Sequence, residues 1–181
     1  MKEPTSPALL PRYFRLKTGL RFGIITSIIS SSVGIALYSA GLVNYKSNTE
    51  SWIPAVLLGL GIYLSSEYYK KHNQGFMGQG DIMVVSGWLG VFSGIVSAIF
   101  LLIQLKLDST ILSQMQNMLE LQLEEKGLEG AQFDKVMEMS SMFLNPYFMG
   151  VSAIISSLIM SLIAGFILSF FLKKVNSDPF A

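Results

Sequence analysis

Residues 107–145 read LDSTILSQMQNMLELQLEEKGLEGAQFDKVMEMSSMFLN, and this stretch decides how the rest of the chain is interpreted. Its apolar residues recur at intervals of three and four or their multiples, which places them on one face of an α-helix. They are Leu112, Met115, Leu119, Leu123, Phe133, Val136 and Met137. Gly127 and Gly130 interrupt the pattern in the middle. The stretch therefore predicts a helix, a tight turn and a returning helix, which we call the hairpin stretch.

Long apolar segments surround the hairpin stretch. Only 14% of the 181 residues are charged, whereas soluble domains carry roughly 25%. Segments of about 20 apolar residues cross the hydrocarbon core of a bilayer. The predicted spans are Phe22–Val43, Trp52–Ser66, Ile82–Leu105 and Pro146–Leu172. We therefore predict an all-α, polytopic membrane protein with four transmembrane helices and an extramembrane helical hairpin between the third and fourth.

The predicted boundaries follow from the composition. Residues 1–18 form a flexible cytoplasmic arm, and 19–106 hold the first three spans. Residues 107–145 form the hairpin, 146–174 the fourth span and 175–181 a cytoplasmic tail. No glycine or proline separates the third span from Gly127, so the third helix need not end at the membrane surface. Asn145 is a good N-cap and Pro146 a good first residue, so a new helix is expected there.

The basic residues predict the orientation. Nine of the thirteen Lys and Arg residues lie in the N-terminal arm, in the loop after the second span and in the tail. Basic residues favour the cytoplasmic side of a membrane. Both termini are therefore expected in the cytoplasm. The hairpin then faces outward, and it carries seven acidic against three basic residues between Lys106 and Asn145.

Small residues recur at every fourth position in three of the spans. Such a stripe lies on one side of a helix and lets a neighbouring helix approach closely. The predicted helix-packing residues are Ser30, Gly34, Gly90, Gly94, Ser161 and Gly165. The alternative interpretation is a permeation path lined by serine hydroxyls. Packing is the interpretation that the spacing favours.

The sequence offers few groups for catalysis. It has no cysteine and a single histidine, His72, which is expected in a loop. Glu67 and Lys71 are expected to pair on a helix surface. The glycine-rich segment 73–80 lacks the phosphate-loop pattern. No catalytic, cofactor or metal site is predicted, and a net charge of +1 argues against nucleic-acid binding.

Three stretches resemble a known family. They are FRLKTGLRFGIITSIIS at Phe14–Ser30, LELQLEEKGLEGAQFDKVMEMSSMFLNP at Leu119–Pro146 and KKVNSDPF at Lys173–Phe180. The chain resembles a family of small four-helix bacterial membrane proteins, common in Bacteroidetes and catalogued as a domain of unknown function. The resemblance implies four membrane helices with a helical excursion before the last. Family members often place Ser or Thr before the second hairpin helix, whereas Leu128–Ala131 has no hydroxyl, so this helix start is expected to fray.

Two functions of different classes fit these features. The leading hypothesis is a non-enzymatic scaffold or accessory subunit of the inner membrane that interacts through its bundle and hairpin. Its partners would be the lipid bilayer and either a second copy or another membrane protein. The alternative is a small transporter, channel or lipid-handling protein, for which a polar cavity between the spans would be the distinguishing feature.

Overall fold

The computed structural model describes residues 12–40, 52–108, 110–128 and 130–173. Six α-helices occupy most of these residues, and the described ranges contain no β-strand. The helices are α1 Arg12–Ser39, α2 Trp52–His72, α3 Gln79–Leu107, α4 Thr110–Glu125, α5 Ala131–Phe143 and α6 Pro146–Leu172. The predicted all-α class is confirmed. The predicted loop at 44–50, the tail 175–181 and the arm up to residue 11 lie outside the described residues.

Three helices are long and apolar enough to cross a membrane: Arg12–Leu37 in α1, Gln79–Leu107 in α3 and Pro146–Leu172 in α6. These helices support a multi-pass membrane protein. α2 is not among them, although its 21 residues are long enough, because Ser65, Ser66, Glu67 and the basic residues after them lower its mean hydropathy. The second predicted span, Trp52–Ser66, therefore stays a prediction, and with it the count of four spans.

The four longest helices form a bundle in the cyclic order α1, α3, α6, α2. α3 is the central helix, since it packs most extensively against both α6 and α1. α2 closes the bundle by packing against α1 and α6. α1 and α3 begin, and α2 and α6 end, at one end of the bundle, which we call the basic end. The opposite end, where α4 and α5 are attached, we call the hairpin end.

Small residues set the distance between α3 and α6. A Cβ atom placed on Gly94 would lie 2.7 Å from the Cα atom of Ile154. Similar clashes would occur between Gly90 and Ser161 and between Gly165 and Ser86. The two backbones thus approach more closely than larger side chains would permit. Close packing of this kind is the main attraction between helices in lipid, where the hydrophobic effect does not drive them together.

Two glycines of α1, outside the predicted stripes, allow α1 and α3 to approach each other closely. A Cβ atom on Gly23 would lie 2.7 Å from the carbonyl oxygen of Leu89. One on Gly19 would lie 2.5 Å from the Cβ atom of Trp88. Gly19, Gly23 and Ser27 follow the same four-residue spacing, so the stripe could have been traced to them. The predicted stripe on α1 instead ended at Gly34, which is exposed. A Cβ atom placed on Gly34 would have no neighbouring atom within 4 Å.

The basic end is held by an ion pair and a cluster of rings. Arg15 Nη2 lies 2.7 Å from Asp81 Oδ1 and joins α1 to α3. Asp81 Oδ2 also accepts a hydrogen bond of 3.1 Å from the Gly78 N–H and caps the start of α3. The buried Tyr69 packs with residues of α3 and α6, and Phe14 packs against that cluster. These contacts hold residues 12–18, which belong to the segment predicted as a flexible arm, in α1.

The last turns of α2 differ in detail from the sequence-based expectation. Glu67 pairs with Lys70 at 2.7 Å, three residues away, rather than with Lys71. His72 is the last residue of α2 and not part of a loop. Its ring lies 4.3 Å from that of Tyr68, centroid to centroid, and its Nδ1 lies 2.9 Å from the Tyr68 carbonyl oxygen. Aromatic stacking therefore extends the helix beyond the predicted span.

A break separates α3 from α4, although no glycine or proline is present there. α3 ends at Leu107 and α4 begins at Thr110. Asp108 Oδ1 accepts hydrogen bonds from the Thr110 N–H, at 2.9 Å, and from the Thr110 hydroxyl. A short polar side chain that bonds the backbone two residues ahead competes with the continuing helix. The expectation that the third helix could run on unbroken to Gly127 is therefore wrong.

Both glycines of the predicted turn adopt positive φ angles. Gly127 has φ 69° and Gly130 has φ 61°. The Leu128 N–H bonds to the Leu123 carbonyl at 3.1 Å, and the Gly127 N–H bonds to the Glu124 carbonyl at 2.9 Å. This pair of bonds is the Schellman arrangement that ends helices at glycine. Gly130 precedes α5 without any capping side-chain bond, as expected for a start that lacks a hydroxyl.

α6 begins as the sequence predicted. The Tyr147 N–H donates to the Asn145 side-chain oxygen at 2.9 Å, and Pro146 is the first helical residue. The rings of Phe143 in α5 and Phe148 in α6 meet edge to face across this junction, with centroids 5.0 Å apart. α4 and α5, by contrast, do not pack closely along their lengths. The closely packed hairpin thus stays a prediction, whereas its two helices are observed.

Gly94→Ala is expected to lower the free energy of unfolding by about 1–3 kcal/mol, because the added methyl group meets the backbone of α6. Gly87→Ala on the same helix is the matched control. Its Cβ atom would meet Leu162 Cδ2 at an ordinary 3.5 Å, and alanine favours the helix by about 1 kcal/mol. Reversible unfolding in mixed detergent micelles, followed by circular dichroism, measures both. Equal stability of the two variants would contradict the close contact between α3 and α6.

Candidate functional site

A cavity of about 380 Å³ lies inside the bundle, toward the hairpin end. All four bundle helices contribute to its wall, and we call it the hydroxyl cavity. Seven lining side chains carry a hydroxyl group: Thr26, Ser30, Ser31, Ser93, Ser97, Ser156 and Ser157. The remaining wall is formed by Pro54, Ala55, Leu58, Ala153 and Met160. No side chain in this wall carries a charge, so the cavity suits neutral groups.

Most of these hydroxyls have no partner within the described part of the chain. Ser97 Oγ lies 2.9 Å from Ser27 Oγ, which also donates to the Ser93 carbonyl at 3.0 Å. The other lining hydroxyls make no hydrogen bond there, although Thr26 is only 7% and Ser93 only 6% exposed. An unbonded hydroxyl in apolar surroundings costs roughly 1–3 kcal/mol. The cavity therefore favours water or a neutral hydrogen-bonding occupant.

The hydroxyl cavity continues toward the hairpin end. A second space of about 340 Å³ shares Ser31 and Ser97 with it. Its other lining residues lie closer to α4 and include Gln104, Ile111 and Met149. This second space, which we call the crevice, extends from Ser31 and Ser97 to the base of α4. Both linings are mainly apolar, with hydroxyl groups in both spaces and the Gln104 amide in the second as their polar groups.

A third space of about 330 Å³ separates α4 from α5, and we call it the hairpin groove. α4 contributes Met115, Met118, Leu119 and Gln122, and α5 with its end contributes Ser140, Phe143 and Leu144. Two of the predicted hairpin residues, Met115 and Leu119, thus line the groove. Three others, Phe133, Val136 and Met137, are half-buried but lie outside its lining. The groove is open, and its wall is apolar and rich in methionine.

The remaining predicted hairpin residues lie nearer to the two ends of α4. Leu112 is half-buried in the first turn, and Leu123 is only 5% exposed near the last. The Leu123 carbonyl accepts the Schellman hydrogen bond from the Leu128 N–H. In this motif the side chain of the residue after the glycine, here Leu128, commonly packs against the side chain at the position of Leu123. Burial of Leu123 therefore follows from the turn. It does not require α4 and α5 to be packed along their whole length.

The predicted helix-packing residues fall into two groups. Gly90, Gly94, Ser161 and Gly165 meet at the α3–α6 contact. Ser30 and Gly34 do not reach such a contact; Ser30 lines the hydroxyl cavity and Gly34 the crevice beyond it. Sequence reasoning missed Ser31, Ser93 and Ser97 as cavity residues. A four-residue spacing joins Ser27 to Ser31 and Ser93 to Ser97, as it joins the residues of a packing stripe. Spacing alone therefore could not distinguish serines that line a cavity from serines that pack against a helix.

Within the described residues, no group of three or more His, Asp or Glu side chains is arranged to hold a metal ion. The glutamates of α4 are exposed on one helix, and His72 stacks on tyrosine. The hydroxyl cavity offers hydrogen-bonding groups, and the hairpin groove offers apolar contact.

The fold and the cavities define an all-α, membrane-type protein with a small-residue bundle and an appended helical segment. Residues 21–174 match the model of the family described as "Protein of unknown function (DUF4199)". This match covers most of the chain, so the protein belongs to that family, in agreement with the resemblance drawn from the sequence. No curated protein and no solved structure matches the chain.

Proposed function

We propose that this protein is a four-span, non-enzymatic accessory subunit or scaffold of the bacterial inner membrane. The observation that carries the proposal is the hairpin groove. Its two walls offer Met115, Met118, Leu119 and Phe143 to a space that neither helix fills. Flexible methionine-rich surfaces adapt to partner helices. The groove thus suits an apolar helix face of another membrane protein, and the exposed acids of α4 suit a partner with basic residues at its rim.

α2 is proposed as a further membrane span, which would bring the number of spans to four, because it runs along the bundle from the hydroxyl cavity to the basic end. Near its start, Pro54 and Ala55 line the hydroxyl cavity beside α1 and α6. Near its end, Tyr69 packs with Leu172, the last residue of α6. At 1.5 Å per residue, the distance from Pro54 to Tyr69 is about 22 Å. With the protein in a bilayer, α2 would traverse most of the hydrocarbon alongside α1.

The proposed orientation places the basic end in the cytoplasm. Arg12, Arg15, Lys17 and Arg21 lie in the first turns of α1, and Lys70 and Lys71 end α2. α4 and α5 at the opposite end carry mostly acidic residues among the described positions. Positive charge at one end favours retention of that end on the cytoplasmic side. The hairpin groove would then meet its partner outside the inner membrane.

A second candidate function is favoured by the hydroxyl cavity. A protein that moves or presents a neutral lipid or small solute needs a polar space between its spans, and this bundle contains one. The crevice that leads to α4 provides a route toward the hairpin end. Under this proposal the small residues have two roles, packing at the α3–α6 contact and solvation of an occupant beside it.

The topology prediction uses the absence of cysteine from the chain. A cysteine at Ser113, in α4, is expected to react with a membrane-impermeant thiol reagent in intact spheroplasts. A cysteine at Ser177 is expected to react only after the membrane is opened. Mass shift after alkylation measures both. Labelling of Ser177→Cys in intact spheroplasts, with Ser113→Cys protected, would invert the proposed orientation.

The groove prediction compares two leucines of α4. Leu119→Glu places a charge in the hairpin groove, whereas Leu121→Glu, at a position 55% exposed outside it, is the matched control. A photo-crosslinker at Met118 is expected to trap one defined protein in native membranes. Leu119→Glu should reduce that product about tenfold or more, given the cost of burying a charge, and Leu121→Glu should leave it unchanged. A monomer without any crosslink in native membranes would argue against the accessory role.

The cavity prediction compares two alanines. Ala153→Leu fills part of the hydroxyl cavity, and Ala36→Leu adds the same volume at an exposed position of α1. If the protein transfers neutral lipids or solutes, proteoliposomes should show flux that Ala153→Leu lowers and Ala36→Leu preserves. Entrapped glycerol and a fluorescent diacylglycerol are suitable probes. Flux equal to that of protein-free liposomes would dispose of this second function.

A further inference from the structure

At the basic end, a space of about 480 Å³ opens between α1 and α3, distinct from the cavities above. We call it the arginine pocket. Its lining residues are Arg12, Tyr13, Arg15, Leu16, Val84 and Trp88. It combines two guanidinium groups with two large aromatic rings and two aliphatic side chains. The hydroxyl cavity, the crevice and the hairpin groove, by contrast, have no charged residue in their walls.

The two arginines are in different electrostatic states. Arg15 is paired with Asp81 at 2.7 Å, and 24% of its side chain remains exposed. Arg12 is exposed and forms no ion pair with any described residue. Asp81 therefore compensates one of the two positive charges, and the pocket keeps an uncompensated one. An occupant with a negative charge would be attracted, whereas a cation would be repelled.

Arg15 also has unused hydrogen-bonding capacity. Its Nε is covered and has no hydrogen-bond partner among the described residues. A guanidinium group has five N–H donors, arranged to match the oxygens of a phosphate. Asp81 and the Tyr69 hydroxyl hold other donors of this group. A phosphate in the pocket would therefore meet the exposed part of Arg15 and the unbonded donors of Arg12. A phosphate group held between Arg12 and Arg15 would satisfy donors that the protein leaves unbonded.

The other walls favour a lipid over a free ion. Tyr13 is 66% exposed, Trp88 38% and Val84 39%, and they form an apolar surface beside the charges. Tyrosine and tryptophan are enriched where a membrane protein meets the headgroup region. Arg15 lies about two turns before Phe22, where the long uncharged segment of α1 begins. With α1 and α3 in a bilayer, the guanidinium groups would lie at headgroup depth, and Val84 and Trp88 would lie at the depth of the upper acyl chains.

We propose that the arginine pocket binds the phosphate of an anionic phospholipid, with its acyl chain against Val84 and Trp88. Basic pockets between transmembrane helices on the cytoplasmic side are suited to such headgroups. The proposal requires that α1 and α3 lie in a bilayer. It does not depend on the accessory role or on the hydroxyl cavity, because neither feature contributes a residue to this pocket.

Trp88 makes the proposal directly measurable. The chain has two tryptophans, Trp52 and Trp88. The Trp52→Phe variant therefore leaves the pocket residue as the only reporter. This variant is reconstituted into mixtures of phosphatidylglycerol and phosphatidylcholine in which one lipid or the other is brominated. Quenching of Trp88 fluorescence by each brominated lipid then gives the association constant of phosphatidylglycerol relative to that of phosphatidylcholine. We expect phosphatidylglycerol to be preferred about fivefold, as for one basic group near the headgroups.

Arg12→Gln should abolish most of that preference. Lys71→Gln is the matched control, because it removes one exposed positive charge from the same end of the bundle but outside the pocket. Lys71→Gln should leave the preference unchanged. Arg15→Lys keeps a charge for Asp81 but lacks the planar fork, so it should lower the preference in part. Circular dichroism and thermal melting of each variant show whether the bundle is intact.

Three results would overturn the proposal. The first is equal quenching of Trp88 fluorescence by brominated phosphatidylglycerol and brominated phosphatidylcholine in the Trp52→Phe variant. Arg12→Gln and Lys71→Gln could lower the preference equally, which would indicate only the general surface charge. Millimolar inorganic phosphate could relieve quenching by phosphatidylglycerol, which would show that the pocket takes phosphate without a lipid. A preference that Arg12→Gln removes, that Lys71→Gln keeps and that inorganic phosphate does not affect supports a lipid site.

Discussion

The close approach of α3 to α6 is the constraint on which the rest of the molecule depends. Lipid chains are as apolar as leucine, so helices in a bilayer gain little from hydrophobic burial and instead need tight contact. Gly90, Gly94 and Gly165 permit that contact, because each faces a serine or the backbone of the opposite helix. α1 then joins the pair through its own glycines, and α2 covers the remaining side. The order of the bundle follows from where side chains are smallest.

The same small residues explain why the bundle contains a cavity. Ser157 borders the contact, since its Cβ atom would lie 3.2 Å from a Cβ atom on Gly94, and it also lines the hydroxyl cavity. One turn further toward the hairpin end, serines from α1 and α3 face each other without filling the space. A stripe of small side chains therefore gives close contact where the backbones meet and an open polar space where they separate. The same four-residue pattern of small side chains thus accounts for the helix contact and for the hydroxyl cavity beside it.

The two ends of the bundle differ in a way that bears on function. At the basic end, an ion pair, a helix cap and a buried tyrosine cluster connect the four bundle helices. At the hairpin end, a crevice leads to two helices that are joined by a glycine turn and separated by a groove. Regions with few buried contacts open at lower free energy than well-packed ones. The basic end is thus the more closely connected end of the bundle, and the hairpin end is the more open one.

The sequence by itself determined the helical class, the apolar character of the long helices, the turn glycines and the start of α6 at Pro146. Each of these depends on local chemistry: periodicity, hydropathy, positive φ angles and a capping side chain. It did not determine that residues 12–18 are helical or that α2 reaches His72, because these segments are held by contacts of Phe14 with Tyr68 and Tyr69. It also could not separate packing serines from cavity serines, since both follow a four-residue spacing. Only the tertiary structure decided that Gly90 meets a neighbour while Gly34 meets none, because the distance between two helices is set by every contact along them and not by the residues of one stripe.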